Sequence, residues 1–144
     1  MKSVFTVKNW EESFVIDEKI AHATATYNMV GDLVGEVEVD YSIFYFDYNH
    51  EEVHSSTSRF EGFAVFKGEM SGEKGSFAYY DRGSFMNNEY KTEIEILEGS
   101  WKGIFTGISG IGSYTPSESG MVLTIRREDH EAWVEKSWKG YLFT

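Results

Sequence analysis

The residues that come nearest to a reaction are His50-Glu51-Glu52-Val53-His54. In zinc hydrolases with His-Glu-x-x-His, two imidazoles one helical turn apart hold the metal and the glutamate polarises its water. That chemistry needs a helix. Here the five residues lie between two strand-like runs, lead into Ser55-Ser56-Thr57-Ser58, and have no helical third ligand after them. They read as a polar loop, and no metal is expected. Glu36, Glu38 and Asp40 share one face of a strand, where a cation site or an acid–base cluster is conceivable. Carboxylates two residues apart on a strand are more simply a solvated face. His22, among alanines and threonines, has the right chemistry for a proton carrier, but reads as a satisfied or exposed histidine. Asp81-Arg82, after Tyr79-Tyr80, supports two readings equally: a pair orienting a polar ligand head at a barrel mouth, or a salt bridge in a turn. Gly107-x-x-Gly110-x-Gly112 lacks the spacing and context of a dinucleotide fingerprint, and no Gly-x-Ser-x-Gly elbow is present. No catalytic residue is assigned and no cofactor is implied.

The elements that would position any site are strands. Leu33, Val37, Val39, Tyr41, Ile43 and Tyr45 alternate with Glu36, Glu38, Asp40 and Ser42, a period of two that no helix produces. Burying unpaired ionised carboxylates costs several kcal/mol, so the odd-numbered side chains are expected to point inward. Residues 3–8 form a weaker strand, followed by a turn or short loop at Trp10-Glu-Glu-Ser and a short apolar run at 14–17. Residues 20–29 alternate alanines with His22 and threonines. A polar loop covers 47–58. Residues 60–70 are apolar on both faces, with Phe60, Ala64, Phe66 and Met70 against Phe63 and Val65. Such a strand needs cover on its outer face, which predicts a homo-oligomer, dimer or trimer. Strands over 75–85 and 89–96 flank a turn at Asn87-Asn88. From Gly99 to Gly112 glycines punctuate an aromatic run. Gly99, Gly103 and Gly107 share one parity with Trp101 and Phe105, as on the inner face of a tightly curved sheet. A last strand covers 121–126. In the tail, Asp129 suits an N-cap, Lys136 and Lys139 suit a last helical turn, and Gly140 suits C′, which predicts a short helix over 129–139.

Seven or eight strands joined by short turns, without βαβ alternation, make an all-β antiparallel fold. Closure into a lipocalin-like barrel is favoured because it removes the edges of such long strands. The 144 residues read as a single domain, 1–144. The chain carries 24 acidic and 13 basic residues, a formal net charge of −11, so phosphate backbones and anionic lipid are poor partners. No cysteine is present, which fits a reducing compartment. Charges interrupt residues 1–20 and no apolar run is long enough to span a membrane. A soluble cytoplasmic protein is expected.

The pattern Tyr27…Gly31-Asp32-Leu33-x-Gly35-Glu36, Glu61-Gly62-Phe63, Gly68…Gly72-Glu73-Lys74-Gly75-Ser76-Phe77, Gly83-Ser84-Phe85 and Gly99-Ser100…Gly103…Gly107…Gly110-x-Gly112 resembles an uncharacterised bacterial family, a domain of unknown function with the allene oxide cyclase-like barrel fold. The resemblance covers roughly residues 27–125. It rests on glycines and spacing, not on reactive groups. The family's Ser-Gly-Thr-Gly run is here Ser100-Trp101-Lys102-Gly103. The resemblance implies a closed antiparallel eight-stranded barrel, often oligomeric in structural relatives, and no established activity.

The interior aromatics of such a barrel either fill it or frame one ligand cavity. The leading expectation is a binder of a small apolar or amphipathic molecule, with Tyr41, Tyr45, Phe77, Tyr79, Trp101, Phe105 and Arg82 as candidate cavity residues. The alternatives are an isomerase or cyclase acting on a lipid-like substrate by conformational restraint, and a structural oligomer with a filled core. A buried unpaired carboxylate in an open cavity would favour the enzyme.

Overall fold

The computed structural model describes residues 1–129, apart from the side chain of His54. Alternating apolar and polar residues form β1 (Lys2–Ile16), β2 (Ile20–Gly31), β3 (Val34–Asp47), β4 (Thr57–Met70), β5 (Glu73–Met86) and β6 (Glu89–Ile96). A two-residue β7 (Lys102–Gly103) precedes β8 (Gly110–Ser117) and β9 (Gly120–Arg127). The order β4-β3-β2-β1-β9-β8-β6-β5 closes through a β4–β5 pairing, so eight long strands make an antiparallel barrel. β7 adds only to the start of β5, at Gly75 and Ser76. The closed ring is a meander in which each long strand pairs with the next along the chain and β9 returns to β1.

The expected facing of β3 is present: Val37, Val39, Tyr41, Ile43 and Tyr45 are buried, and Glu36, Glu38 and Asp40 are exposed. Two of these outer carboxylates find partners on β1 and β2, with Lys8 Nζ 2.6 Å from Glu36 and His22 Nε2 2.6 Å from Asp40. Asn87 and Asn88, at φ 53° and 59°, join β5 to β6 in the left-handed conformation that a two-residue hairpin requires.

Two local expectations are corrected. Trp10–Ser13 is not a turn: β1 runs unbroken from Lys2 to Ile16, with a bulge between Val7 and Asn9 in its pairing with β2. One extra residue flips the faces of a strand. Ser3 and Phe5 point inward before the bulge; after it Trp10 and Glu12 do, and this change of parity hides the strand. The second correction concerns Gly99–Gly107. Gly99, Gly103 and Gly107 have φ of 87°, 65° and 88°, so the segment is a series of turns with only β7 paired. It folds Phe105 and Ile108 into the interior, each 1% exposed, and Trp101 Nε1 donates to the Ile108 carbonyl at 2.6 Å. Of the helix expected over 129–139, all but Asp129 lies beyond the described residues.

This segment closes one end of the barrel. Phe66, Phe77 and Phe105 form a cluster with ring centroids 5.0–5.7 Å apart, and Met29, Leu33 and Val37 are fully buried in the same core. Burial of each such side chain contributes about 1.5–3 kcal/mol. The opposite end is formed by the C-terminal ends of β1, β3, β5 and β8 and the start of β2, β4, β6 and β9.

Candidate functional site

That opposite end is hollow. A cavity of about 440 Å³ lies inside it, within the range of about 300–1,000 Å³ usual for small-molecule sites. Phe5, Tyr27, Tyr41 and Tyr114 form its depth, Trp10, Ile43 and Phe60 its walls, and Glu12, Tyr45, Phe85, Tyr90 and Met121 line it nearer the strand ends. Small residues on neighbouring strands make room for the large ones. Tyr41 stands in register with Ala23 on β2 and Gly62 on β4. A Cβ at Gly62 would collide with the Asp40 carbonyl oxygen and approach the Tyr41 ring to 3.0 Å. Trp10 likewise stands opposite Ala25, and its ring centroid lies 5.8 Å from that of Tyr41.

Beneath the cavity floor is a carboxylate. Asp81, 2% exposed, accepts hydrogen bonds from Tyr41 Oη at 2.7 Å and Tyr114 Oη at 2.9 Å. Tyr41 has a single hydroxyl proton and gives it to Asp81. In its 3.0 Å contact with Tyr27 Oη it is therefore the acceptor, and Tyr27 donates. Burial pushes the Asp81 carboxyl up to about 6, against the pull of the two tyrosine hydrogen bonds. Burial, and then the charge of Asp81, hold Tyr41 and Tyr79 well above the ordinary phenol range; Tyr114 is raised for the same reasons.

A second carboxylate lies nearer the opening. Glu12 accepts from Tyr45 Oη at 2.5 Å and from Trp10 Nε1 at 3.1 Å. Desolvation and the bond to Glu12 raise the Tyr45 hydroxyl. Among the described residues, none lining the cavity is Lys, Arg or His, and no group of three or more His, Asp or Glu is placed to hold a metal ion.

Of the residues singled out from sequence, Tyr41 and Tyr45 line the cavity. Phe77, Tyr79 and Phe105 are buried in the barrel but do not line it, and Phe77 and Phe105 belong to the packed end. Trp101 is half-buried against that end. Arg82 lies on the outside, as strand alternation requires of the neighbour of an inward Asp81. It pairs with Glu93 at 3.1 Å and stands 5.8 Å from the Tyr80 ring centroid. Asp81 and Arg82 are thus neither a ligand clamp nor a turn salt bridge. His22 is exposed and outside the cavity. In the loop holding the His50–His54 motif, the only regular piece is a 3₁₀ turn at Val53–Ser55, and the His50 ring pairs with Glu18.

The sequence singles out Asp81 only together with Arg82, at a barrel mouth or in a turn, and does not single out Tyr27, Tyr114, Trp10 or Glu12 as site residues. The inward place of Asp81 is legible in its parity with Phe77 and Tyr79 on β5, which puts a carboxylate on an otherwise aromatic face. Trp10 and Glu12 were hidden by the bulge.

The family model described as "Protein of unknown function (DUF3224)" matches residues 1–126. The match therefore takes in β1, and with it Trp10 and Glu12, which the glycine pattern beginning at Tyr27 left out. No curated protein matches the chain. The crystal structure of a protein of unknown function from the same family, from Shewanella oneidensis MR-1, is similar with a TM-score of 0.72. The two are 12% identical over 88% of this chain and 93% of the other, a likeness of fold alone.

Proposed function

We propose that this chain, which belongs to the DUF3224 family, binds a small apolar or amphipathic molecule in the open half of its barrel. The observation that carries the reading is the asymmetry of the interior. One end is packed by Phe66, Phe77 and Phe105, while the other keeps a cavity of about 440 Å³ lined by aromatic rings with carboxylates at two depths. A filled structural core has no use for that space, since interiors pack to crystal-like density. The test is titration with N-phenyl-1-naphthylamine, an uncharged dye that brightens in apolar surroundings. Binding of one dye per chain is expected, and its loss in Ser58→Phe, where a ring grows from a buried small residue of the lining into the cavity. An unchanged titration in that variant would place the dye elsewhere.

Asp81 favours one second reading, an isomerase or cyclase. A carboxyl at about 6 exchanges protons readily near neutrality. Both its oxygens are held by tyrosines, so a proton would reach a bound molecule through the Tyr41 or Tyr114 hydroxyl. Turnover of a lipid-like substrate that is lost in Asp81→Asn while dye binding persists would establish it. The allene oxide cyclase-like naming of the fold is part of the same proposal, supported by the closed eight-stranded antiparallel ring; the proposed cytoplasmic location is supported by the absence of cysteine and is tested by cell fractionation. A second copy of the chain is the proposed cover for the outer face of β4, where Phe63 is 63% exposed.

A further inference from the structure

We infer that the cavity selects an amphipathic amine, a cationic nitrogen carried on an apolar chain or ring. The inference rests on the reading of the cavity as a binding site and names the ligand class.

Hydrogen-bond direction is the first support. Tyr41 and Tyr114 both give their hydroxyl protons to Asp81, and Tyr27 gives its proton to Tyr41. Three hydroxyl protons are thereby committed toward one buried carboxylate. Their oxygens keep lone pairs for whatever occupies the cavity. Nearer the opening the same arrangement recurs, with Tyr45 and the Trp10 indole both donating to Glu12. The floor and the Glu12 side therefore offer acceptors, the lining hydroxyls of Ser56, Ser58 and Tyr90 can accept as well as donate, and a donor ligand is complementary to all of them.

Charge is the second. Two carboxylates, one in the lining and one directly behind it, face a low-dielectric space with no Lys, Arg or His among the described lining residues. Low-dielectric walls focus such a field and favour a cation over an anion. Aromatic faces are the third. The Trp10, Tyr41 and Phe60 rings stand in sequence, with centroids 5.8 and 5.7 Å apart, and all three line the cavity. Ring faces around a small space attract alkylammonium groups. An anionic ligand would meet the lone pairs and carboxylates head-on.

The test compares decylamine, decan-1-ol and decanoate, which share one chain and differ in head group, as displacers of the dye at pH 7.5. Decylamine is expected to bind at least about tenfold more tightly than decan-1-ol, and decanoate more weakly than either, as for a charge-assisted hydrogen bond made or refused. Glu12→Gln should weaken the amine several-fold and the alcohol much less, so that the amine advantage shrinks. Equal binding of amine and alcohol, or tightest binding of decanoate, overturns the inference and leaves the cavity reading standing. An amine advantage that survives in Ser58→Phe belongs to the acidic surface and overturns it too. Failure of the dye and of all three decyl compounds sinks the cavity reading, and this inference with it.

Discussion

Asp81→Asn separates charge from shape at the centre of the barrel. Asparagine keeps the volume, and its carbonyl can accept from one tyrosine while its amide donates to the oxygen of the other. Tyr41 can then turn its own proton toward Tyr27, whose hydroxyl turns toward the cavity that it lines, and the variant should fold. What changes is the dependence of stability on pH. Burial raises Asp81 from 3.8 to about 6 in the folded protein, so the fold binds this proton more tightly than the unfolded chain does. The stability tied to that proton is complete below 3.8 and is lost as pH rises through about 6. At about 1.4 kcal/mol per pH unit the whole effect is roughly 3 kcal/mol, of which about 2 kcal/mol falls between pH 4.5 and 7.5. Other titrating groups are common to both proteins and cancel in the difference. Urea unfolding at several pH values across that window should show the wild type losing about 2 kcal/mol relative to Asp81→Asn. A gap between the two that stays constant with pH would refute the reasoning. A gap that moves the other way would mean that the tyrosine hydrogen bonds outweigh desolvation and hold the carboxyl low.

Tyr41→Phe leaves Asp81 with one donor and Tyr27 without its acceptor. It should cost about 1–3 kcal/mol in urea unfolding, more than Tyr45→Phe, whose partner Glu12 is only half-buried. At the packed end, Phe66→Ala should cost about 3–5 kcal/mol by thermal or chemical unfolding. Glu38→Ala, on the exposed face of β3, should stay within about 0.5 kcal/mol of wild type. Light scattering should give a multiple of 16.5 kDa, falling to the monomer mass in Phe63→Glu; a wild-type monomer at micromolar concentration would contradict the proposed cover of β4.

How much of this was legible depended on whether one face carried one kind of residue. On β3 it did, and both the strand and its facing could be read, because the reversed register would have buried Glu36, Glu38 and Asp40. On β1 it did not, because the bulge after Val7 transfers the inward role from odd to even positions, and alternation averaged over the strand disappears. Gly99–Gly107 misled for a related reason. Glycine is compatible with a curved strand and with left-handed turns alike, and the spacing of Trp101 and Phe105 does not distinguish the two. The cavity itself was not legible. Whether interior aromatics fill a barrel or frame a space depends on which end each reaches, and Phe77 and Tyr41 look alike until register places them at opposite depths. Nor does parity show that Asp81 gathers tyrosines from β3 and β8, since that meeting exists only once the ring is closed.

The central claim is that the hollow half of this barrel is a binding site, and a crystal structure grown with decan-1-ol tests it most directly. The account predicts density for the decyl chain inside the barrel, between Phe60, Phe85 and Met121, with the hydroxyl reaching the oxygens of Tyr41 or Tyr114. A cavity holding only water, with the alcohol absent or confined to the outer face around Phe44 and Phe63, would contradict it.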